Sequence, residues 1–369
     1  MSEMYMTTER IVFANILRGV GAIAVLVSHY IGIFWVMHPG ISDLMKVPKL
    51  ENFPSLEFPL SVLSDYCIVF GQFGVGVFFI VSGLVIPFSL KSDTKLGFLY
   101  RRAIRIYPVY IAGFCIVMLS LYCLSYYTDR PFMFSIGDML AHFGVITRAP
   151  LGVDRIDGIS WTLEVEIYFY LAMCIFGTKV LDFDIKKYVA TALAIAAAST
   201  LTFKTKGYLM GVQVAAGLLL LLGTAYYSLL NRKITKKEFW ILQTTVFALI
   251  LLLWLGVAEP ASYIKQWIIG YIIAMAVFYI CFLLRNSIKE NKVLSHFSDI
   301  SYPLYVVHAL FGYAIMYVLV DHEFGTYASI ATATACAYLA SLLIHVFIEK
   351  PSMTWIKRSR ISSRIAQNA

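Results

Sequence analysis

Ten apolar runs divide this 369-residue chain. They fall at about 11–33, 66–90, 104–127, 159–181, 188–203, 207–230, 239–257, 262–284, 303–320 and 327–348. A helix that crosses a bilayer needs about 20 such residues. Hydrocarbon offers the backbone no hydrogen-bond partner, so each run must satisfy its own N–H and C=O groups as a helix. Composition agrees. The chain is 60% hydrophobic and 14% charged, against about a quarter charged in a soluble domain. The expected fold is all-α: a polytopic membrane protein of about ten transmembrane helices, forming one domain over 1–369 with no fused soluble domain. The fifth run is short and its connection to the sixth is tight.

A net charge of +8 would suggest nucleic acid in a soluble protein. In a membrane chain, surplus Lys and Arg set orientation instead, and no nucleic-acid partner is expected. With the N-terminus inside, the inner segments collect 21 Lys and Arg and the outer loops 8, while Arg18 lies within the first run. Both termini are therefore placed in the cytoplasm. The polar start MSEMYMTTER shows no cleavable signal peptide. The six cysteines lie in or beside apolar runs without CxxC spacing, which reads as packing. No metal site is expected.

Ionisable groups at membrane depth are costly, by about 2.5 kcal/mol or more near a helix centre, and mark function by default. The first run holds two, Arg18 and His29. Eleven steps of about 100° return almost to the starting angle, so both share a face, about 16 Å apart along the axis. One long ligand lying along the helix can meet both. Glu164 and Glu166 open the fourth run at the depth of His29. A carboxylate beside a histidine can fix its tautomer. Arg101, Arg102 and Arg105 gather where the third run leaves the cytoplasm, at spacings that let guanidiniums converge on phosphate. Ser82, Gly83 and Pro87 suggest a kink or unwound turn in the second run. Ser301, Tyr305 and His308 share a face at the start of the ninth, at the depth of Arg18. The polar residues thus form an inner layer (Arg18, Arg102, Arg105, Ser82, His308) and an outer one (His29 with Glu166 or Glu164). Two long outer loops, 34–65 and 128–158, are candidates for recognising something outside.

Five of these stretches, in order along the chain, resemble the acyltransferase-3 family of integral-membrane O-acyltransferases. They are the Arg–ten residues–His pair (Arg18, His29) and Phe-Phe-x-x-Ser-Gly (Phe78, Phe79, Ser82, Gly83). Next come Arg-x-x-Arg with its proline and tyrosine (Arg102, Arg105, Pro108, Tyr110) and Trp-Ser-Leu-x-x-Glu, with Thr162 for the serine and Glu166 as the glutamate. Ser-Tyr-x-x-Tyr-x-x-His closes the set (Ser301, Tyr302, Tyr305, His308). The family's Glu-Glu-Gln run is replaced here by Glu166, Ile167 and Tyr168.

The resemblance implies transfer of an acyl group, commonly acetyl from acetyl-CoA, to a hydroxyl of an exported or cell-surface carbohydrate or glycolipid. It attaches catalytic weight to His29 and Arg18, and implicates the Arg102–Arg105 pair. On this reading His29 is the base, Glu166 orients it, and Arg102, Arg105, Ser82, Tyr305 and His308 contact the acyl-CoA. The expected location is the bacterial inner (plasma) membrane, where the chain acts alone or with a separate partner protein. Buried His, Arg and Glu also suit a proton-coupled transporter or lipid-linked sugar flippase, the alternative from another class.

Overall fold

A computed structural model of the chain describes residues 2–91, 94–256 and 264–355, and helix is the only regular element among them. The ends of two predicted spans, at 257 and 262–263, and the basic tail beyond 355 lie outside the described residues. Among the described residues, eight helices are long and apolar enough to cross a membrane: Val12–Val36, Cys67–Leu90, Lys95–Tyr127, Tyr208–Leu230, Lys236–Gly256, Lys265–Leu283, Ser301–Asp321 and Thr326–Trp355. The fold is that of a polytopic membrane protein. The two remaining predicted spans are also helical. One, Ser160–Phe176, is only 17 residues long before it tightens into a 3₁₀ turn. The other, Ile185–Lys206, is alanine-rich, with lysines at both ends.

The contacts sort the chain into two compact units. The first gathers Met1–Val25, Ile68–Leu99 and Trp161–Ser298. It contains most of α1 (Ser2–Val27), α2 (Cys67–Lys91), α3 (Ser160–Phe176), α4 (Ile185–Lys206), α5 (Gly217–Leu230), α6 (Lys236–Gly256) and α7 (Ile264–Leu283). Aromatic rings fill its interior. Tyr226 lies 4.7 Å from both Phe239 and Phe278, and Phe13 packs edge-on to Phe278 at 5.6 Å.

In this unit α2 runs unbroken through Ser82, Gly83 and Pro87, where the sequence suggested an unwound turn. The glycine serves close packing instead. A Cβ on Gly83 would fall 2.1 Å from the Leu220 carbonyl oxygen, and one on Gly223 2.3 Å from that of Ile80. Helices α2 and α5 therefore touch backbone to backbone, the small-residue contact that membrane helices use where water supplies no driving force.

The second unit gathers Leu26–Cys67, Tyr100–Ser160 and Asp299–Ala369. Its long helices are α8 (Lys95–Tyr127, most of which lies here), α9 (Ser301–Asp321) and α10 (Thr326–Ile344). Val109, Val307 and Ile344 form a core where these three meet. Helix α8 starts nine residues before the predicted 104, because its arginine-bearing first turns are helical without being apolar.

Both outer loops belong to this unit and are built rather than loose. The first folds back as a short helix, His38–Met45. In the second, Ser135 and Asp138 make a reciprocal capping box at the head of Ile136–Phe143. His142 pins that loop: its Nδ1 donates to Asp138 O at 2.7 Å, its Nε2 accepts from Ile156 N–H at 3.0 Å, and its ring stacks on Phe114.

Candidate active site

The α-helical ladder of the first span gives way to a π-helical segment at Ser28–Ile33. Such wider turns are rare and recur at functional sites. His29 is its second residue, so the equal-angle argument that paired it with Arg18 does not carry unchanged across the junction. Arg18 is half-buried on the preceding α-helix, in the first unit.

In the second unit, two side chains pack against the His29 ring. The Tyr313 hydroxyl lies 2.5 Å from Nδ1, and its ring stacks alongside at 5.8 Å. His308 packs edge-on, with centroids 4.6 Å apart. Tyr30, the next residue, donates its hydroxyl to the His308 carbonyl oxygen at 2.6 Å. That hydroxyl occupies the place where a side chain at Gly312 would be: a Cβ there would sit 1.9 Å from it. Glycine in mid-helix costs about 1 kcal/mol, and here it lets α9 close onto the π segment.

His308 is thus placed beside His29, not in an inner layer at the depth of Arg18. The depth estimate counted residues from the start of each span, and such a count does not fix which side chains of two spans meet. His308 is 1% exposed. Its Nδ1 meets only carbonyl oxygens, those of Leu304 and Tyr305, at 3.2 and 2.9 Å. A carbonyl cannot donate, so Nδ1 carries the proton and, in the neutral ring, Nε2 holds the lone pair. That buried Nε2 has no hydrogen-bond partner among the described residues. Tyr305 donates its hydroxyl to Ile159 O at 3.0 Å.

Arg102 and Arg105 stand three apart on α8 in the same unit, Arg102 at 9% exposure and Arg105 half-buried. Three residues further on, Pro108 sits inside the helix, which remains unbroken. In the same unit, a cleft of about 570 Å³ opens in the first long loop. Trp35 and Phe53 line it together with Ser55, Ser61, Ser64 and Asp65.

The first unit holds the other polar cluster. Ser82 donates to Glu166 Oε1 at 3.0 Å, and the Tyr170 hydroxyl donates to the same oxygen. Glu164, two residues earlier, accepts from Gln213 Nε2 at 2.9 Å. Both carboxylates of α3 are taken up by protein groups, because this short helix is enclosed on two sides. The hydroxyl at His29 Nδ1 belongs to Tyr313, where the sequence suggested a glutamate. Sequence reasoning missed Tyr313 and Tyr30. The available signal was Gly312, an unexplained glycine beside a tyrosine in the middle of a spanning helix.

No group of three His, Cys, Asp or Glu side chains among the described residues is arranged to hold a metal ion. In comparisons with known proteins, the model of the acyltransferase-3 family, described as an acyltransferase domain, matches residues 11–349. No curated protein and no solved structure matches the chain.

Proposed function

Because the chain belongs to the acyltransferase-3 family, and is by that membership a membrane acyltransferase, we propose that it moves an acyl group from cytoplasmic acyl-CoA to a carbohydrate hydroxyl. Acetyl is the group most in keeping with the family resemblance. The observation that carries this reading is the His29 ring, held at Nδ1 by Tyr313 and edge-on by His308 within spanning helices. In the tautomer whose Nδ1–H donates to the Tyr313 oxygen, the one this reaction uses, Nε2 is the free base.

His29 Nε2 takes the proton of the acceptor hydroxyl as its oxygen attacks the thioester carbonyl. The C–S bond breaks, the ester forms, and the proton passes from His29 to the departing thiolate, giving free CoA. A positioned base of this kind contributes about 10²–10⁴-fold. The buried Nε2 of His308 lies next to the reacting groups in this scheme, so we assign His308 to the thioester end of the donor. Arg102 and Arg105 take the donor phosphates, where a fork of N–H groups suits phosphate oxygens.

The outer cleft fits the acceptor. Aromatic faces such as Trp35 and Phe53 offer apolar surface to a sugar ring, and Ser61, Ser64 and Asp65 offer hydrogen bonds to its hydroxyls. Tyr305 keeps its contact with the donor and Arg18 the weight that the family resemblance gives it, while the orienting role expected of Glu166 passes to Tyr313, since Ser82 and Glu166 are bonded to each other. The charge bias places both termini in the cytoplasm, and the inner-membrane location is the one in keeping with the family resemblance.

The test is direct. Purified protein in detergent, given labelled acetyl-CoA and a cell-envelope glycan fraction, should form labelled ester, and His29→Ala should not. A carrier would form no product in either case.

A further inference from the structure

A second cavity, of about 670 Å³, lies in the first unit where α5 ends, α6 begins and α7 ends. Its floor is aromatic: Phe239, Trp240, Tyr279 and Phe282. Trp240 meets Tyr279 edge-on at 4.9 Å. Three cations line it, Arg232, Lys236 and Arg285. The Arg285 guanidinium sits 4.7 Å over the Phe282 ring and donates to that residue's carbonyl at 2.7 Å, which fixes its place at the rim.

Charge is sorted around this cavity. No carboxylate is among its lining residues. The nearest one in sequence, Glu238, accepts from Thr235 N–H and Oγ1 at 2.8 Å each, closing the head of α6. The neighbouring cation Lys233 is turned elsewhere, bonded to Asp182 at 2.6 Å and to the Leu181 carbonyl. Arg232 and Lys236 are exposed. By the Lys/Arg bias, these helix ends face the cytoplasm. Trp and Tyr gather at the level of lipid headgroups, and basic pockets between helices on that side suit anionic lipid.

We propose that this cavity binds an anionic phospholipid of the inner leaflet, its phosphate between Arg232, Lys236 and Arg285 and the start of its chains on the aromatic floor. The occupant is a resident lipid, distinct from the acyl donor assigned to the second unit.

Native mass spectrometry of the purified full chain tests this, after exposure to equal amounts of phosphatidylglycerol and phosphatidylethanolamine. The wild type should retain phosphatidylglycerol preferentially. The double variant R232N/K236Q should lose about tenfold of that retention, each cation near a headgroup contributing severalfold. Asn tolerates the left-handed φ of 56° at position 232, and K236Q alone should give part of the loss on an unaltered backbone. The control K186Q/K187Q removes the same charge elsewhere and should leave retention unchanged. Equal retention of the two lipids, no loss in the variants, or an equal loss in the control overturns the proposal. Displacement of phosphatidylglycerol by acetyl-CoA would also overturn it, and would move the donor site here. Transfer activity is not part of the readout, so the outcome is independent of the acyl-transfer reading.

Discussion

The Tyr313 hydroxyl lies 2.5 Å from Nδ1 of His29, on a helix that reaches the π segment only because Gly312 leaves room for Tyr30. A neutral phenol therefore holds the imidazole where triad enzymes place a carboxylate. Tyr313→Phe keeps the ring, which also packs against Phe34 at 5.7 Å, and removes only the hydroxyl. The turnover number should fall about tenfold to a hundredfold, the worth of one hydrogen bond to a group that gains charge. KM for acetyl-CoA should stay within about twofold, since uniform binding is untouched. A proportional rise in KM would show that Tyr313 shapes the donor site instead of positioning the base.

Arg105 is half-buried on α8 and Arg102 is nearly enclosed, so Arg105 is the better probe of the phosphate assignment. Arg105→Gln should raise KM for acetyl-CoA by about tenfold, or 1.4 kcal/mol, with the turnover number little changed. Arg105→Lys should restore only part of the affinity, because an ammonium lacks the planar fork. A variant that lost turnover at unchanged KM would remove Arg105 from the donor site.

The spanning helices were legible in the sequence because each carries its own signal: twenty apolar residues with their backbone to satisfy. Local pairs were legible for the same reason. His345 and Glu349, four apart, are joined at 2.7 Å. Contacts made across distant segments were not. Nothing near His29 in the sequence points to Tyr313, 284 positions away, and a count along α9 does not reveal that His308 packs on His29. The glycines marked close approach without naming a partner. Gly83 meets Leu220 and Gly223, where Ser82 and Pro87 nearby had suggested unwinding.

That glycine contact gives a stability prediction. Gly83→Val places branched carbon where the α5 backbone already stands, 2.1 Å from the Leu220 oxygen. The two helices must part, and overpacking of this kind costs about 1–3 kcal/mol or more. The melting temperature in detergent should drop by several degrees. Gly40→Ala, with nothing within 4 Å of the added carbon, should leave it unchanged. Equal melting of the Gly83 variant would mean that α2 and α5 do not touch as described.

The first outer loop supplies a pH dependence. His38 stacks face to face on Phe53, ring centroids 3.7 Å apart, and its Nε2 accepts from Leu50 N–H at 3.4 Å. Burial holds its pKa below the usual 6.5. The neutral ring is therefore favoured in the folded loop, while the opened loop binds a proton more readily. Above about pH 6.5 both forms are neutral and the full contribution is present. As pH falls below 6.5 toward the folded value, the open form gains protons and the loop loses stability. Hydrogen exchange at residues 46–59, read at matched intrinsic rates, should quicken between pH 7 and pH 5.5. His38→Phe keeps a ring on Phe53 without a titrating nitrogen and should flatten that dependence. If the wild-type loop exchanges equally at both pH values, the His38–Phe53 stack is not what holds it closed.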